Sequence, residues 1–186
     1  MAKLVYVANV SLDGHIEDAH GRFEWTEPSD EVFAFITDLV RPVGTYLYGR
    51  RLYETMAVWE NDPALAAQSE PMAAFAQVWQ SADKIVYSTT LQAVSTTRTQ
   101  LECRFDPETV RAMMASAGSD VNIGGATLAA AAFDAGLIDE CQLFVYPVLV
   151  GSGKPAFSGA GHVQLDLLDE HRFGNGVVYL RYRVLS

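Results

Sequence analysis

Two glycine-containing turns in the sequence carry the residue types that bind phosphate groups. The first is Gly49-Arg50-Arg51 and the second is Gly124-Gly125-Ala126-Thr127, and each lies between an apolar strand-like run and a helix-like run. Glycine lets a phosphate approach the backbone, the N–H groups of a helix start attract anions, and arginine can donate paired hydrogen bonds to phosphate oxygens. Each turn could instead be an ordinary helix start with solvated side chains. Because two such turns occur in one chain, we predict that both bind phosphate.

A third polar strand end, Ser88-Thr89-Thr90, follows the strand-like run 84–87. Its hydroxyls could bond a ribose or a ribose phosphate, because ligands of open α/β sheets collect outside the carboxyl ends of the strands. Polar strand ends are very common. Ser88 and Thr89 are therefore candidates only in combination with the two glycine turns.

Two carboxylates near the N-terminus could supply a proton to a substrate. Asp13 lies in a turn after the first apolar run, which contains Asn9, and Asp30 stands at the start of a predicted helix. A carboxylate at a helix start is more often a cap than a catalyst. If Trp25 and Phe33 enclose Asp30, its pKa could rise enough for it to donate a proton. We therefore name Asp30 and Asp13 as candidate acids, and Asn9, Trp25 and Phe33 as candidate substrate contacts.

Other catalytic and metal-binding motifs are not supported by the sequence. The run Gly151-Ser152-Gly153-Lys154-Pro155-Ala156 has the letters of a dinucleotide fingerprint, but a Gly-rich stretch follows it where a helix is needed. The four histidines lack the spacing of metal ligands, and no G-x-S-x-G elbow occurs. We expect neither a metal site nor a hydrolase.

The composition is that of a soluble, folded and acidic chain. Of its 186 residues, 49% are hydrophobic and 19% are charged, which excludes an intrinsically disordered protein. With 13 Lys and Arg against 23 Asp and Glu, the formal net charge is −10, so nucleic acids and anionic membranes would be repelled. No apolar run approaches the ~20 residues of a membrane helix, and two cysteines give no disulfide framework. We expect one cytoplasmic domain over residues 1–186.

The order of the apolar runs predicts the fold class. Short β-branched runs predict strands, helical spacing predicts helices, and Gly174-Asn175-Gly176 predicts the turn of a closing hairpin. The predicted strands are residues 4–10, 45–48, 84–87, 121–123, 142–150, 163–168 and 177–184. The predicted helices are 30–40, 51–56, 71–82, 106–117 and 126–135, while 60–70 and 151–161 are expected to be loops. We predict a single-domain α/β fold with a central, mixed, mostly parallel sheet, flanked by helices and completed by a C-terminal antiparallel hairpin.

Taken in order, these motifs resemble the dihydrofolate reductase-like fold, and most closely the RibD C-terminal family of riboflavin biosynthesis reductases. The likeness extends along nearly the whole chain, and the ordered set is specific for the family but not for the substrate. The motifs that carry it are Ser11-Leu12-Asp13-Gly14, Gly49-Arg50-Arg51-Leu52-Tyr53-Glu54, Gly124-Gly125-Ala126-Thr127-Leu128, Gly136-Leu137-Ile138-Asp139-Glu140 and Pro147-Val148-Leu149-Val150-Gly151-Ser152-Gly153. The chain most resembles the stand-alone members, because the zinc deaminase motif of the bifunctional enzymes is missing.

The resemblance implies that NADPH lies across the strand ends. Residues 49–51 and 124–127 would hold its phosphates, and Ser88 and Thr89 would face its adenosine ribose. Asp13 matches the family's turn beside the nicotinamide and the substrate. The run 25–30 also looks like the tryptophan-to-acid segment of dihydrofolate reductases, which puts Asp30 at the position of their substrate-protonating acid.

Two departures from the family pattern bear on the substrate. Ala82 and Asp83 stand where folate enzymes have an arginine that clasps the folate tail. The chain also lacks evident basic residues for a substrate's ribose phosphate. We therefore predict an NADPH-dependent reductase that transfers a hydride to a small pterin-, pyrimidine- or flavin-precursor-like heterocycle. The alternative is a non-catalytic nucleotide-binding or regulatory module on the same fold.

The resemblance and the apolar C-terminal strands both indicate a homodimer. Strands 142–150 and 177–184 are expected to form a sheet edge that pairs across a two-fold axis.

Overall fold

The computed structural model describes residues 2–159 and 161–185, which form ten strands and seven α-helices. The strands are β1 Leu4–Ser11, β2 His15–Asp18, β3 Val43–Gly49, β4 Asp83–Tyr87, β5 Thr99–Glu102, β6 Asp120–Gly124, β7 Glu140–Tyr146, β8 Gly153–Pro155, β9 Gln164–Arg172 and β10 Val178–Leu185. The helices are α1 Asp30–Val40, α2 Arg50–Met56, α3 Val58–Asn61, α4 Pro63–Ala66, α5 Glu70–Ser81, α6 Pro107–Ser116 and α7 Ala126–Asp134, and a short 3-10 turn covers Glu24–Thr26.

Eight strands form one sheet in the order β5-β4-β3-β6-β1-β7-β10-β9. The six strands from β5 to β7 are parallel to one another, whereas β10 is antiparallel to both β7 and β9. The predicted fold class is confirmed, because helices flank a mostly parallel sheet that ends in an antiparallel hairpin. Strands β2 and β8 form a separate two-stranded sheet.

Different helices pack on the two faces of the large sheet. On one face, helices α6 and α7 cover a core that includes Leu47 of β3. On the other face, α1 and α5 pack over Tyr46 and Tyr48. Successive residues of a strand point to opposite faces, so the alternation along β3 separates the two cores. The second face also holds the cleft described below.

Helix α1 is fixed at its first turn. The Ser29 hydroxyl accepts a hydrogen bond from the Val32 amide, which satisfies one of the free N–H groups of the helix start. Val32 is fully buried against the aromatic cluster under β7 and β10, and the Glu31 carboxylate accepts a hydrogen bond from the Gly174 amide. These contacts hold α1 on the sheet from both its buried and its exposed side.

A buried carboxylate ties both termini to the middle of the sheet. Glu140 of β7 is 3% exposed and accepts hydrogen bonds from Lys3 at 2.6 Å and from Arg181 at 2.8 and 3.1 Å. Burial alone would raise the pKa of Glu140. The hydrogen bonds from Arg181 and Lys3 outweigh it, so the pKa lies below its ordinary value.

Three local predictions are wrong. The run 60–70 is not a loop, because α3 ends in it and Asp62 caps α4 by accepting from the Ala64 and Leu65 amides at 3.1 Å. Strand β7 ends at Tyr146 and not at residue 150, since Pro147 has no amide to continue the ladder. The Gly-rich run 151–161 contains β8, which pairs with β2.

The predicted sheet edge is also wrong. Both β7 and β10 have neighbours on each side, and the edge of the sheet at this end is β9. Among residues 2–159 and 161–185, every helix is too short or too polar to cross a membrane.

Candidate active site

The two glycine turns lie side by side. Strands β4, β3 and β6 are consecutive and parallel, with Gly49 opposite Tyr87 and Tyr48 opposite Gly124. The carboxyl ends of these strands therefore meet at one edge of the sheet, followed by Ser88, the start of α2 and the start of α7. Three of the predicted site segments are thus neighbours in space.

Both helix starts present bare backbone. Gly49 and Gly125 stand directly before α2 and α7, and neither helix has a side-chain cap. A Cβ added to either glycine would meet nothing within 4 Å, so there is open space beside both turns. Gly125 has φ +90°, a conformation that favours glycine. Gly124 has a different role, because its missing Cβ makes room for Leu52 of α2.

The two arginines of the first turn point to different neighbours. Arg50 donates from Nε to Glu54 at 2.8 Å and from Nη1 to the Thr90 hydroxyl at 2.9 Å, beyond the end of β4. Arg51 donates from Nη1 and Nη2 to the two oxygens of Glu17 on β2, each at 3.1 Å. Arg50 thus faces the β4 side of the edge, and Arg51 faces the β2–β8 sheet.

The remaining polar residues at this edge differ in availability. The Ser88 hydroxyl accepts from the Thr90 and Leu91 amides at 3.2 and 3.0 Å, so it shapes the turn after β4. Thr89 and Thr127 are exposed. The Ser88 hydroxyl also lies 3.4 Å from the Thr90 hydroxyl, so it is engaged within the turn, while Thr89 and Thr127 face solvent.

A cleft of about 970 Å³ opens between α1, α2 and the sheet. Six of the predicted site residues border it, namely Asn9, Phe33, Arg51, Gly124, Gly125 and Ala126. The cleft thus joins the second glycine turn and Arg51 to the face of the sheet that carries α1.

Aromatic side chains form much of the cleft wall. Phe33, Trp59 and Phe75 make a mutual cluster with ring centroids 4.9 to 5.6 Å apart. Tyr46 and Tyr48 stack at 5.5 Å with an interplanar angle of 13°. These walls are suited to enclosing a planar ring. Sequence reasoning missed the tyrosines, although their spacing of two along a strand places both on one face.

The hydroxyl groups of the two tyrosines are hydrogen-bond donors held in apolar surroundings. The Tyr46 hydroxyl is buried and has no partner within the described chain, whereas the Tyr48 hydroxyl accepts from the Trp79 indole at 3.1 Å. Burial raises the pKa of both phenols, so they remain protonated at neutral pH. Asn122 lies opposite Tyr46 in the sheet and also borders the cleft.

The condition under which Asp30 could act as an acid, enclosure by Trp25 and Phe33, is not met. Asp30 is exposed at the first residue of α1 and does not border the cleft. Trp25 packs edge-on against Tyr146 with ring centroids 6.1 Å apart, so it is not a wall of the cleft either. Of the three residues expected to act together, only Phe33 faces the cleft.

Asp13 is held in a structural role. Its carboxylate accepts from the Val150 and Gly151 amides at 3.2 and 2.8 Å and ties the turn after β7 to the turn after β1. The hydrogen bond with the Ser11 hydroxyl and those amides hold the pKa of Asp13 well below its usual range. Asp13 is therefore ionised and unsuited to donating a proton at neutral pH, and it lies outside the cleft lining.

Known proteins share this architecture. The chain is 27% identical to the uncharacterized protein YyaP of Bacillus subtilis (strain 168) over 178 residues, which are 93% of this chain and 90% of that protein. A structure from Shewanella sp. PV-4, assigned provisionally to riboflavin biosynthesis, superposes with a TM-score of 0.77 at 19% identity, and the match covers 100% of both chains. Dihydrofolate reductase from Enterococcus faecalis, complexed with NADP(H) and RAB-propyl, gives a TM-score of 0.65 at 12% identity, covering 99% of this chain and 97% of that one.

The family is established by a match over nearly the full length. The model of the RibD C-terminal domain matches residues 2–179, which include every element from β1 into β10. The resemblance indicated by the ordered set of motifs is confirmed, and the chain belongs to the RibD C-terminal domain family.

Proposed function

We propose that the chain is an NADPH-dependent reductase that transfers a hydride to a small planar heterocycle. The observation that carries the proposal is the junction of two features. Gly125 and Arg51 border the cleft, and Gly49 lies on the neighbouring strand directly before the helix of Arg51. The cleft continues from there into an aromatic chamber lined by Phe33, Tyr46 and Tyr48. Family membership supports a reductase, and the structural neighbour with NADP(H) supports a nicotinamide cofactor.

The residues at the strand ends fit a dinucleotide. Open space beside Gly49 and Gly125 admits a diphosphate to the backbone, and the amides at the start of α7 are free to donate. Helix α2 has only seven residues, so Arg51 would supply most of the affinity at the first turn. Ser88 and Thr89 would face the adenosine ribose. When bound, the cofactor supplies the hydride, and the protein supplies position and electrostatics.

The aromatic chamber would hold the substrate ring. Phe33 presents one aromatic wall, while Tyr46 and Tyr48 present another on β3. Asn9 and Asn122 border the same space and offer amide groups to ring heteroatoms. The cleft thus combines apolar faces with a small number of polar groups, which is the usual composition of a small-molecule site.

The proton that accompanies the hydride would come from a group that borders the cleft. Asp30 and Asp13 do not border it, whereas Glu24 and Glu27 do. Both glutamates are exposed, so they can exchange protons with solvent. We propose delivery from solvent at this part of the cleft.

A specific observation favours a second candidate function. Both acids expected from the sequence lie outside the cleft lining. A chain that binds the nucleotide without turnover, as a binding or regulatory module, would need no such acid.

The proposal is tested by titrating NADPH and following its fluorescence, then by measuring its oxidation with pterins, flavin precursors and quinones. Saturable binding with oxidation by at least one compound supports the reductase. Binding without oxidation across the panel favours the module, and a lack of saturable binding overturns both.

We also propose a homodimer and a cytoplasmic location. The edge strand β9 exposes Leu165 and Leu167 on one face, which would pair with a second copy of the chain. Light scattering that gives only the mass of a single chain would contradict the dimer. The free thiols Cys103 and Cys141 suit a reducing compartment, and fractionation of cells would test the location.

A further inference from the structure

The charged groups that border the cleft are unequal in sign. Four carboxylates border it, whereas the cationic groups are Arg51 and Lys154 among the described residues. The carboxylates are those of Glu17, Glu24, Glu27 and Glu54. This inequality bears on which substrates the cleft can accept.

Ion pairing compensates Glu17 and Glu54, whereas Lys154 has no ion-pair partner within the described residues. Arg51 is bound by both oxygens of Glu17, and Glu54 accepts from Arg50. Glu24 and Glu27 form no ion pair within residues 2–159 and 161–185. The segment before α1 therefore presents two uncompensated negative charges to the cleft.

The two cationic groups of the cleft lie beside the same acidic residue, Glu17. Arg51 follows the first glycine turn, and Lys154 of β8 lies opposite Glu17 of β2, the carboxylate that holds Arg51. On the proposed function, both cations would be used by the cofactor's phosphates. The aromatic chamber then has no positive charge left for a second phosphate.

We infer that the substrate of this cleft is an uncharged or cationic planar ring and that phosphorylated rings are rejected. A phosphate ester carries about −1.5 to −2 charge at pH 7, and it would meet Glu24 and Glu27 without a cation to offset them. The inference rests on the proposed function, because it treats the bound ring as the substrate. Its binding test does not require turnover.

The test compares riboflavin with riboflavin 5′-phosphate by isothermal titration calorimetry in the presence of saturating NADP⁺, so that the cofactor's phosphates already occupy Arg51 and Lys154. The two probes have the same planar ring and differ by the phosphate. We expect riboflavin to bind about tenfold more tightly at low ionic strength, because Glu24 and Glu27 border the cleft and their like charges oppose the phosphate. The ratio should fall in about 1 M salt, where the Debye length is only ~3 Å.

A charge-neutralised variant identifies the residues responsible. In the double variant Glu24→Gln/Glu27→Gln, the ratio of the two dissociation constants should fall to about threefold or less, because only the binding of the phosphorylated probe becomes tighter. The matched control Asp38→Asn/Asp134→Asn changes the net charge equally at exposed positions outside the cleft lining, and it should leave the ratio unchanged.

Equal or tighter binding of the phosphorylated probe would overturn the inference, as would a failure of riboflavin to bind. An equal response of the control variant would show a general effect of net charge and would also overturn it. The NADPH titration is independent of these outcomes. Oxidation of NADPH with preference for a phosphorylated ring would therefore reject this inference and leave the reductase standing.

Discussion

Arg51 and Glu17 are joined by two parallel hydrogen bonds, Nη1 to Oε1 and Nη2 to Oε2, each 3.1 Å long. This pair connects the start of α2 to strand β2 across the cleft. The guanidinium that would bind a cofactor phosphate is thus held by a carboxylate of the same chain, whose side chain is 16% exposed. Phosphate and Glu17 would compete for the same donors.

Substitution of Glu17 should therefore tighten cofactor binding. Glu17→Gln removes the competing charge and leaves Arg51 in place, and we expect NADPH to bind about fivefold more tightly, which corresponds to about 1 kcal/mol. The measurement is a fluorescence titration. Glu108→Gln, which releases Arg111 on α6, is the control and should have no effect. Weaker binding in Glu17→Gln would show that the carboxylate positions Arg51 for the phosphate.

The two arginines should differ in their effect on cofactor choice. Arg50 reaches Thr90 beyond β4, on the side proposed for the adenosine ribose, whereas Arg51 borders the cleft. We expect Arg50→Gln to weaken the binding of NADPH about tenfold more than the binding of NADH, since only NADPH carries the 2′-phosphate. Arg51→Gln should weaken both cofactors to the same degree. Equal losses for both cofactors in Arg50→Gln would contradict this assignment.

The sequence was sufficient to predict that the two glycine turns are neighbours, because their position depends on local rules. A strand, a glycine and a helix start recur at Gly49 and Gly125, and parallel neighbours bring such turns together whatever the register. The substrate side depends on longer-range packing. Trp25 packs against Tyr146 of β7, a contact that no local sequence pattern indicates. Asp30 is exposed to solvent.

The pocket tyrosines illustrate a second limit. Tyr46 and Tyr48 lie on β3, and the cleft beside them is bounded by residues of α1, α2 and α5, which are separate segments of the sequence. Strand β8 was missed for a similar reason. Its three residues carry no strand pattern, and they are extended because β2 supplies a partner.

Gly153 should be essential for the small β2–β8 sheet. A Cβ at this position would lie 1.9 Å from the Glu17 carbonyl oxygen, which is backbone and cannot rotate away. We expect Gly153→Ala to separate the two strands and lower the free energy of unfolding by about 2 kcal/mol or more. Urea denaturation measures the change. Gly118→Ala is the control, since its Cβ would meet nothing within 4 Å. A loss no greater than that of the control would contradict the observed packing.

The buried carboxylate of Glu140 should make stability depend on acid. Its folded-state pKa lies below the ordinary value, so its contribution is complete above the unfolded pKa of about 4.3 and is lost as the pH falls through the folded pKa. Glu140→Gln leaves Lys3 and Arg181 without a counter-charge, and we expect a loss of about 2 kcal/mol at pH 7. The difference in free energy of unfolding between the variant and the parent chain should become smaller below about pH 4. Denaturation across pH measures it, with exposed Glu170→Gln as the control. A difference in free energy of unfolding that does not change with pH would contradict the stabilising role of the charged Glu140.

Two buried tyrosines should respond in opposite ways to loss of their hydroxyl groups. Tyr46 is 3% exposed and its hydroxyl has no partner among residues 2–159 and 161–185, whereas Tyr53 is 2% exposed and its hydroxyl accepts from the Ser95 amide at 2.7 Å. An unpaired buried polar group is destabilising, so Tyr46→Phe should leave the free energy of unfolding unchanged or raise it by up to about 1 kcal/mol. Tyr53→Phe should lower it by about 1 to 2 kcal/mol, because the Ser95 amide loses its acceptor.

The same pair separates a ligand contact from a packing role. If the Tyr46 hydroxyl donates to a ring acceptor in the cleft, Tyr46→Phe should weaken riboflavin binding about fivefold, the equivalent of about 1 kcal/mol for one hydrogen bond. Calorimetry on both variants checks this, and Tyr53→Phe should bind as the parent does, since Tyr53 does not border the cleft. A more stable Tyr46→Phe chain with undiminished ring binding would assign the hydroxyl to neither packing nor recognition. Greater stability with weaker binding would mean that the fold keeps a destabilising group for its ligand.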